Sequence, residues 1–541
     1  MSQSSLKSPR RDGGLYAALP ALYLCNPFQA IPITTEAMIR RGLPAFQISG
    51  LAPARDIADR IRSALRCSGE KSLSSGANIQ VNLAPVDLRK SGAYLDLSIA
   101  VSIMRAAAQA RPPHSASPAF ADHPGSPTVY LGELALDGRL RPVPRLPALL
   151  RESRRLGFRR AILPACQIHE ARLIPGIRCT GIDSLAELTL RPGEAARQAS
   201  PVSSAARSGS RADPGRDGAV KIRGVAPALT PLLDQLELDP RARRALSIAA
   251  AGWHSMLLIG PPGTGKSSLA RSVAPLLAPP SQAESLEILI GGDRNTAIGE
   301  GVLEIQRPVR APHHSCTRTA MVGGGTPVAP GEITRANHGV LLLDELAEFS
   351  RDTLQGLREP METGYIDLSR GRENARFPAR FLLIATTNPC PCGRHRLGKC
   401  NCGPVQIRQY INRILGPLRD RIDLEVRVEG VEEQDERVPG KLLLSTVERA
   451  RSMQSDRFAN TAIATNGEIP AAELERYIRL DLSEAREEWK EFARSRRHSH
   501  RSLAGLRRVA RTIADLEGSP EIRATDLQEA LYYRCLDHYW S

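Results

Sequence analysis

From Leu257 to Ser268 the chain reads LLIGPPGTGKSS, with Gly260, Gly265, Lys266 and Ser267 at the fixed positions of G-x-x-x-x-G-K-[ST]. An apolar run, Met256–Ile259, precedes it, and a helix-compatible segment, Ser268–Leu277, follows. Strand, tight glycine loop and helix in that order let backbone N–H groups turn inward around phosphates, with the helix N-terminus adding positive potential. The loop residues Gly260, Pro261, Pro262, Gly263, Thr264 and Gly265, with Lys266, Ser267 and Ser268, are therefore expected to cradle a nucleotide. Lys266 is expected to reach the β- and γ-phosphates, and Ser267 to ligate Mg²⁺. A loop of this type demands an α/β fold built on a parallel sheet with flanking helices.

The partners that such a loop needs follow in order. Val340–Glu345 reads VLLLDE, a buried strand ending in two carboxylates. Asp344 is placed to hold Mg²⁺ through water, and Glu345 to polarise the attacking water. A second apolar strand, Phe381–Ala385, leads into Thr386, Thr387 and Asn388, and an Asn at that tip can orient the same water. Farther on, Arg421 lies in GPLRDRIDL. It is expected to reach a neighbouring subunit's γ-phosphate, where such arginines are worth ~10³–10⁵ in rate. The alternative is a surface ion pair with Asp420 or Asp423.

At 541 residues the chain should hold several domains. No run of residues is long and apolar enough for a membrane span. The opening MSQSSLKSPRRDGG carries no apolar h-region, so a cytoplasmic protein is expected. Ten cysteines then argue for free thiols or metal ligands rather than a disulfide framework. The net charge of +15, mostly from arginine, suits a polyanionic partner, although an arginine-rich composition can also reflect a GC-rich genome.

Three ordered blocks are expected. The first, about 15–190, mixes strands (Ile79–Leu83, Val129–Leu131, Ala161–Leu163) with helices (Ile57–Arg66, Leu95–Ala108) and contains a Pro/Ser/Ala-rich loop at 111–127. Residues 191–220 are nearly free of large apolar side chains and read as a disordered linker. The second block, 221–430, carries the nucleotide motifs. The third, 431–541, is mainly helical, with Leu503, Leu506, Ala510, Ile513 and Leu516 at helical spacing.

The central block resembles the magnesium-chelatase-like branch of the AAA+ ATPases, and the whole chain resembles the ComM/YifB family. The likeness rests on RPVRAPHHS (307–315), PGEITRANHGVLLLDELAEF (330–349), LREPMETG (357–364), TTNPCPCG (386–393), GPLRDRIDL (416–424) and RRVARTIADL (507–516). In the first block, GLPAFQISGL (42–51), VNLAPVDLRKSGAYLDLSIA (81–100) and YLGELALDGRLRPV (130–143) resemble that family's Lon-protease-like domain. The resemblance implies an ATP-driven hexameric ring that moves on branched DNA during uptake and recombination of foreign DNA. It also implies an arginine in the C-terminal lid that touches the γ-phosphate of its own subunit. Aligning RSLAGLRRVAR with the family's pattern picks Arg501, leaving Arg507, Arg508 and Arg511 as surface charges.

The chain departs from these patterns in two places. A Lon-type site needs a Ser nucleophile and a Lys base. The matching stretch offers Tyr94 and Asp96, with Ser98 out of register, and Pro144-Arg145-Leu146-Pro147 stands where the Lys should follow. Proteolysis is therefore not expected, and no role is assigned to Ser98, which replaces a family proline. The Gly-Gln pair expected before the phosphate loop is also missing from LTPLLDQLELDPRARRAL (229–246), which bears on base contacts and not on phosphate binding.

Cys390-Pro-Cys392 and Cys400-Asn-Cys402 stand seven residues apart, and four such thiols fit tetrahedral Zn²⁺ in a structural site. The tighter C-x-C spacing leaves a turn of free thiols as the alternative. Arg394, Arg396 and Lys399 would offset thiolate charge, and His395 could replace one ligand. His313 and His314 read as loop or core residues rather than ligands. Two segments are candidates for loops facing the pore of a ring: 289–301, and the hairpin 364–376 with Arg370, Arg372 and Arg376. The run Arg494–Arg497 is a further basic stretch, read as a solvated face or a DNA contact.

Three functions compete: a DNA-translocating motor, a chelatase-type motor for metal insertion into a tetrapyrrole, and an AAA+ machine that remodels protein. The first block and the absence of a D-x-S-x-S motif weigh against the second.

Overall fold

The computed structural model describes residues 14–69, 77–86, 90–110, 127–188, 221–227, 239–292, 302–325, 328–370, 373–395, 400–428, 439–480, 482–494 and 499–534. The expected linker 191–220 lies outside these residues, as does the 111–127 loop except for its last residue. The chain forms two compact units, Met1–Ile222 with Gly292–Leu303, and Arg223–Gly291 with Glu304–Ser541.

In the first unit, strands Leu15–Asn26 and Gln29–Arg41 form an antiparallel hairpin. Ala77–Ala84 adds antiparallel to the second of these, and Ala45–Ser49 then adds parallel to Ala77–Ala84. Helix Asp96–Ala108 (DLSIAVSIMRAAA) is apolar nearly all round and accordingly buried on almost every side, packing on the hairpin. Thr128–Tyr130, Arg160–Pro164 and Arg178–Ile182 make a separate parallel sheet. The strands and helices expected in this block appear within a few residues of their expected ends.

The side chains weighed for protease chemistry in this unit make structural contacts. The Tyr94 hydroxyl accepts from the Leu24 amide at 2.9 Å. Asp96 takes a two-pronged ion pair from Arg60 at 2.7 and 3.1 Å. The buried Ser98 hydroxyl pairs with Thr35 at 3.3 Å. Lys90, fully buried, donates to the carbonyls of Leu83, at 2.9 Å, and Pro85.

The second unit is built on a five-stranded parallel sheet ordered Val309–Arg310, Val340–Leu343, Leu382–Thr387, Met256–Ile259, Leu424–Arg427. The three central strands are buried along their length and apolar except for Thr386 and Thr387 at one carboxyl end, as expected for strands covered on both faces. Helices Pro240–Gly252, Gly440–Arg457 and His500–Leu516 contribute to the core against this sheet. The C-terminal helical segment thus packs into the same unit as the phosphate loop.

Two expectations are corrected here. The helix after the phosphate loop begins at Lys266 and ends at Arg271, with only a 3-10 turn at Ala274–Leu276 beyond it. Pro275 lacks an N–H and its ring would clash with the Arg271 carbonyl, so the helix cannot run on. Arg507 and Arg511 are not surface charges: they are 8% and 3% exposed. Arg507 donates to Glu475 and to the Ile478 carbonyl, each at 2.5 Å. Arg511 reaches Asp515 at 3.1 Å and the Pro520 carbonyl at 2.8 Å. Buried charged heads persist only when satisfied in this way. Arg508 is half-buried and donates to the Ile469 carbonyl at 2.8 Å. Among the described residues no helix is long and apolar enough to cross a membrane.

Candidate nucleotide site

Parallel pairing sets the site. Leu258 and Ile259 lie opposite Thr386 and Thr387, while Leu343 lies opposite Ala385. The phosphate loop, the acidic pair and Asn388 therefore emerge side by side at the carboxyl ends of three neighbouring strands, where open α/β sheets bind ligands. Gly260 is packed so closely that a Cβ there would stand 2.2 Å from the Val428 carbonyl oxygen. Gly265 caps the following helix at φ 76°, a left-handed conformation that glycine adopts without cost. The Thr264 hydroxyl closes the loop on the Pro261 carbonyl at 2.9 Å.

The Lys266 ammonium is directed inward. It donates to the carbonyls of Gly260 at 2.8 Å and Pro261 at 2.6 Å, and reaches Asn388 Oδ1 at 3.4 Å. Burial lowers its pKa, and the nearby Asp344 and Glu345 carboxylates oppose that shift. The Ser267 hydroxyl lies 2.9 Å from both Asp344 oxygens, and Thr386 donates to Asp344 Oδ1 at 2.5 Å. This is a set of hard oxygen donors, the kind that suits Mg²⁺.

Glu345 joins that network through its backbone, while its carboxylate is more exposed. Its backbone is left-handed at φ 54°, a strained conformation for a non-glycine residue, costing of order 1 kcal/mol or more. Its amide donates to Thr386 Oγ1 at 3.2 Å, and its side chain is 57% exposed. Asp344 thus faces the Ser267 and Thr386 hydroxyls, while the Glu345 carboxylate is open to solvent. His314 Nδ1 lies 3.9 Å from Glu345 Oε2, and its ring stacks on His313 at 4.0 Å between centroids. His313 and His314 sit in the loop after strand Val309–Arg310, the neighbour of the acidic strand. The sequence reading missed the His314–Glu345 relation; its only signal was the position of APHHS just past an edge strand.

Arg421 and Arg501 lie elsewhere. Arg421 precedes strand Leu424–Arg427, whose Leu424 pairs with Met256, and the Arg421 carbonyl accepts from Ser255 Oγ at 2.6 Å. That is the amino end of the sheet, whereas the phosphate loop leaves Ile259 at the carboxyl end. Arg421 pairs with Glu362. Arg501 Nη1 reaches the same Glu362 Oε1 at 2.8 Å. Burial and the charges of Arg501 and Arg358 lower Arg421 to about 10, which leaves it charged at neutral pH. Both arginines line a cavity of about 1120 Å³ together with Glu362 and Arg508, and no phosphate-loop residue borders it. Arg501, expected from the resemblance to meet its own subunit's γ-phosphate, is here paired with Glu362 in this cavity and not beside the phosphate loop. Glu362 was also missed, since nothing in LREPMETG signals its two distant partners.

The four cysteines converge. Cys390 Sγ is 3.4 Å from Cys392 Sγ and 3.7 Å from Cys400 Sγ, and Cys392 lies 3.6 Å from Cys400. With Cys402, all four sulfurs fall within 4.8 Å of one another. Burial, with the neighbouring thiols, pushes Cys390 up to about 12, whereas the Arg394 backbone N–H helps to bring Cys392 down to about 6. His395 is not in the group; Arg396 and Lys399 lie outside the described residues.

The expected hairpin is present as Tyr365–Arg370 paired with Glu373–Pro378. Arg376 lies over the Tyr365 ring at 4.4 Å and 3.5 Å from Asp367. Arg372 and the Arg370 side chain lie outside the described residues, as do 293–301 of the other candidate loop and 495–497 of the basic run. The first three residues of that loop belong to helix Gln282–Gly291.

Three family models match along the chain: "Magnesium chelatase, subunit ChlI" over 233–436, "Subunit ChlI of Mg-chelatase" over 35–167, and "Magnesium chelatase, subunit ChlI C-terminal" over 441–534. The chain is 35% identical to the uncharacterized protein YifB of Escherichia coli, covering 94% of this chain and 95% of that one. It is 34% identical to the competence protein ComM of Haemophilus influenzae, over 94% and 95%. An uncharacterized MCM-type protein of Methanocaldococcus jannaschii is 31% identical over 31% of this chain and 19% of its own length.

Proposed function

The chain belongs to the ComM/YifB family of magnesium-chelatase-like AAA+ ATPases, and from that premise we propose that it is an Mg²⁺-dependent, ATP-hydrolysing ring motor that acts on branched DNA. The observation that carries the ATPase part is the convergence of Lys266, Asn388, Ser267 and Asp344 at three adjacent strand ends. In this reading Lys266 leaves the loop carbonyls for the β- and γ-phosphates, and the Gly260–Ser268 backbone wraps them. Ser267 and Asp344 would hold Mg²⁺, which would neutralise charge on the phosphates. Asn388 and Glu345 hold the attacking water, with Glu345 accepting its proton. His314 orients the Glu345 carboxylate.

Arg421 and Arg501 have no route to their own phosphate loop along the sheet. Both are assigned to the next subunit's γ-phosphate, which requires an oligomer, read as a hexamer. Their common seat on Glu362 supports this reading.

The first unit is read as a Lon-protease-like module without protease chemistry, because Ser98 and Lys90 are each committed to other partners. Residues 221–430 are taken as the ATPase core and 431–541 as its helical lid. The four thiols are read as a structural zinc site, since four protein ligands leave no open position for chemistry.

The DNA assignment rests on the net charge of +15, the hairpin between the two catalytic strands, and the likeness to a competence protein. The experiment that tests it is ATP turnover with forked DNA, with linear duplex and with protein substrates. Stimulation by forked DNA supports the motor; stimulation by protein alone supports a remodelling ATPase instead.

A further inference from the structure

The four-cysteine cluster does not stand apart from the nucleotide site. Cys390 is only two residues beyond Asn388, the residue whose Oδ1 lies 3.4 Å from Lys266 Nζ. Cys390 is fully buried, and its carbonyl accepts from the Gly393 amide at 2.9 Å, closing a turn. Gly393 takes φ 74°, and a Cβ there would stand 2.7 Å from Pro262 Cδ. The cysteine turn is thus in contact with the phosphate loop itself. On its far side, Cys400 and Cys402 lead directly into helix Pro404–Leu418. Tyr410 of that helix returns to Thr387, with its hydroxyl 3.2 Å from Thr387 Oγ1.

The spacing of the sulfurs has a chemical meaning. Disulfide sulfurs are ~2.05 Å apart. Four thiolates about 2.3 Å from one tetrahedral zinc lie about 3.8 Å from each other. The separations of 3.4, 3.6 and 3.7 Å match the metal geometry and not the disulfide.

We propose that Cys390, Cys392, Cys400 and Cys402 bind one zinc ion that braces the nucleotide site, fixing Asn388 and the Gly393–Pro262 contact so that metal loading sets ATP affinity. The inference rests on reading Gly260–Ser268 as the phosphate loop. Zinc joins the end of the Asn388 strand to the start of the Tyr410 helix. Zinc would add four metal–sulfur bonds to the Gly393–Cys390 hydrogen bond that closes the turn packed on Pro262. Misplacement of a site by about 1 Å can cost 10²-fold. The brace acts on position alone, through the Gly393–Pro262 contact.

The test uses the full chain, purified without added metal. About one zinc per chain is expected by elemental analysis, and cobalt substituted for it should give the intense thiolate-to-metal absorption of a tetrahedral all-sulfur site. A chain that holds no zinc and takes none up overturns the proposal. Stripping the zinc should weaken binding of a fluorescent ATP analogue by about tenfold, and adding zinc back should restore it; unchanged affinity overturns the brace. Should the stripped protein unfold, Gly393→Ala decides. It keeps all four thiols and should retain zinc and the cobalt spectrum, yet its Cβ must push Pro262 aside and weaken the analogue. Normal affinity in Gly393→Ala overturns the brace. Lys266→Ala separates the two failures: it should lose nucleotide and keep its zinc. Nucleotide binding retained in Lys266→Ala overturns the phosphate-loop reading, and the brace with it.

Discussion

Arg421 and Arg501, 80 residues apart in sequence, share one oxygen of Glu362 at the amino end of the ATPase sheet. The two arginines are therefore presented as a pair, away from the phosphate loop of their own chain. Acting in trans, Arg421→Ala and Arg501→Ala should each lower ATP turnover by ~10³-fold or more. Mixing either variant with Lys266→Ala should restore part of the activity, because some interfaces then join an intact loop to an intact pair. An Arg501→Ala defect that mixing never rescues would place Arg501 in its own subunit's site.

Glu362 holds both arginines at the correct spacing in this account. Glu362→Ala should lower turnover while leaving ATP affinity unchanged, because Glu362 lies in the arginine cavity and not in the phosphate loop. A changed affinity with normal turnover at saturation would show that it does something else.

Glu345→Gln should bind ATP yet turn it over at least ~10²-fold more slowly, as loss of a positioned general base typically does. His314→Ala should lower turnover by a smaller factor without raising KM. Single-turnover hydrolysis measures both. Normal hydrolysis in Glu345→Gln would remove Glu345 from the mechanism.

The sequence made the phosphate loop, the acidic strand and Asn388 legible because each is a local pattern: a buried run ending in polar residues at fixed spacing. It could not make the Glu362 pair or the His314–Glu345 approach legible, since those depend on which strand neighbours which. Arg501 shows the limit most clearly. Its position at the start of an amphipathic helix was readable, but no spacing within RSLAGLRRVAR says at which end of the sheet that helix docks. The same holds for Arg507 and Arg511, whose charges suggested solvent but whose partners, Glu475, Asp515 and the Pro520 carbonyl, bury them. Pro275, by contrast, was a local stop signal available in the sequence.

Stability of the second unit should depend on pH through His338. This ring lies 3.4 Å from Glu284 and 2.9 Å from Glu287. Burial alone would lower its pKa, but the two carboxylates outweigh it and the net shift is upward. The pairing therefore stabilises the fold fully below the unfolded value of about 6.5 and is lost as pH rises through the higher folded value. Glu284 is shifted down: burial would raise it, and hydrogen bonding from His338 with the Arg307 charge prevails. Its contribution is lost as pH falls through the depressed value. Thermal unfolding of wild type and His338→Gln should thus differ most near pH ~6 and converge toward pH ~9. A gap that widens with rising pH would contradict the assignment.

ATP hydrolysis at this site is proposed to be coupled to movement on branched DNA. Its most direct measurement is the rate at which the full chain, with ATP and Mg²⁺, displaces the arms of a labelled four-way DNA junction, with turnover followed in the same reaction. Junction DNA should raise turnover, arms should be displaced only when ATP is hydrolysed, and Glu345→Gln should bind the junction without moving it. Turnover unaffected by any DNA, with junctions left intact while a protein substrate stimulates hydrolysis, would contradict it.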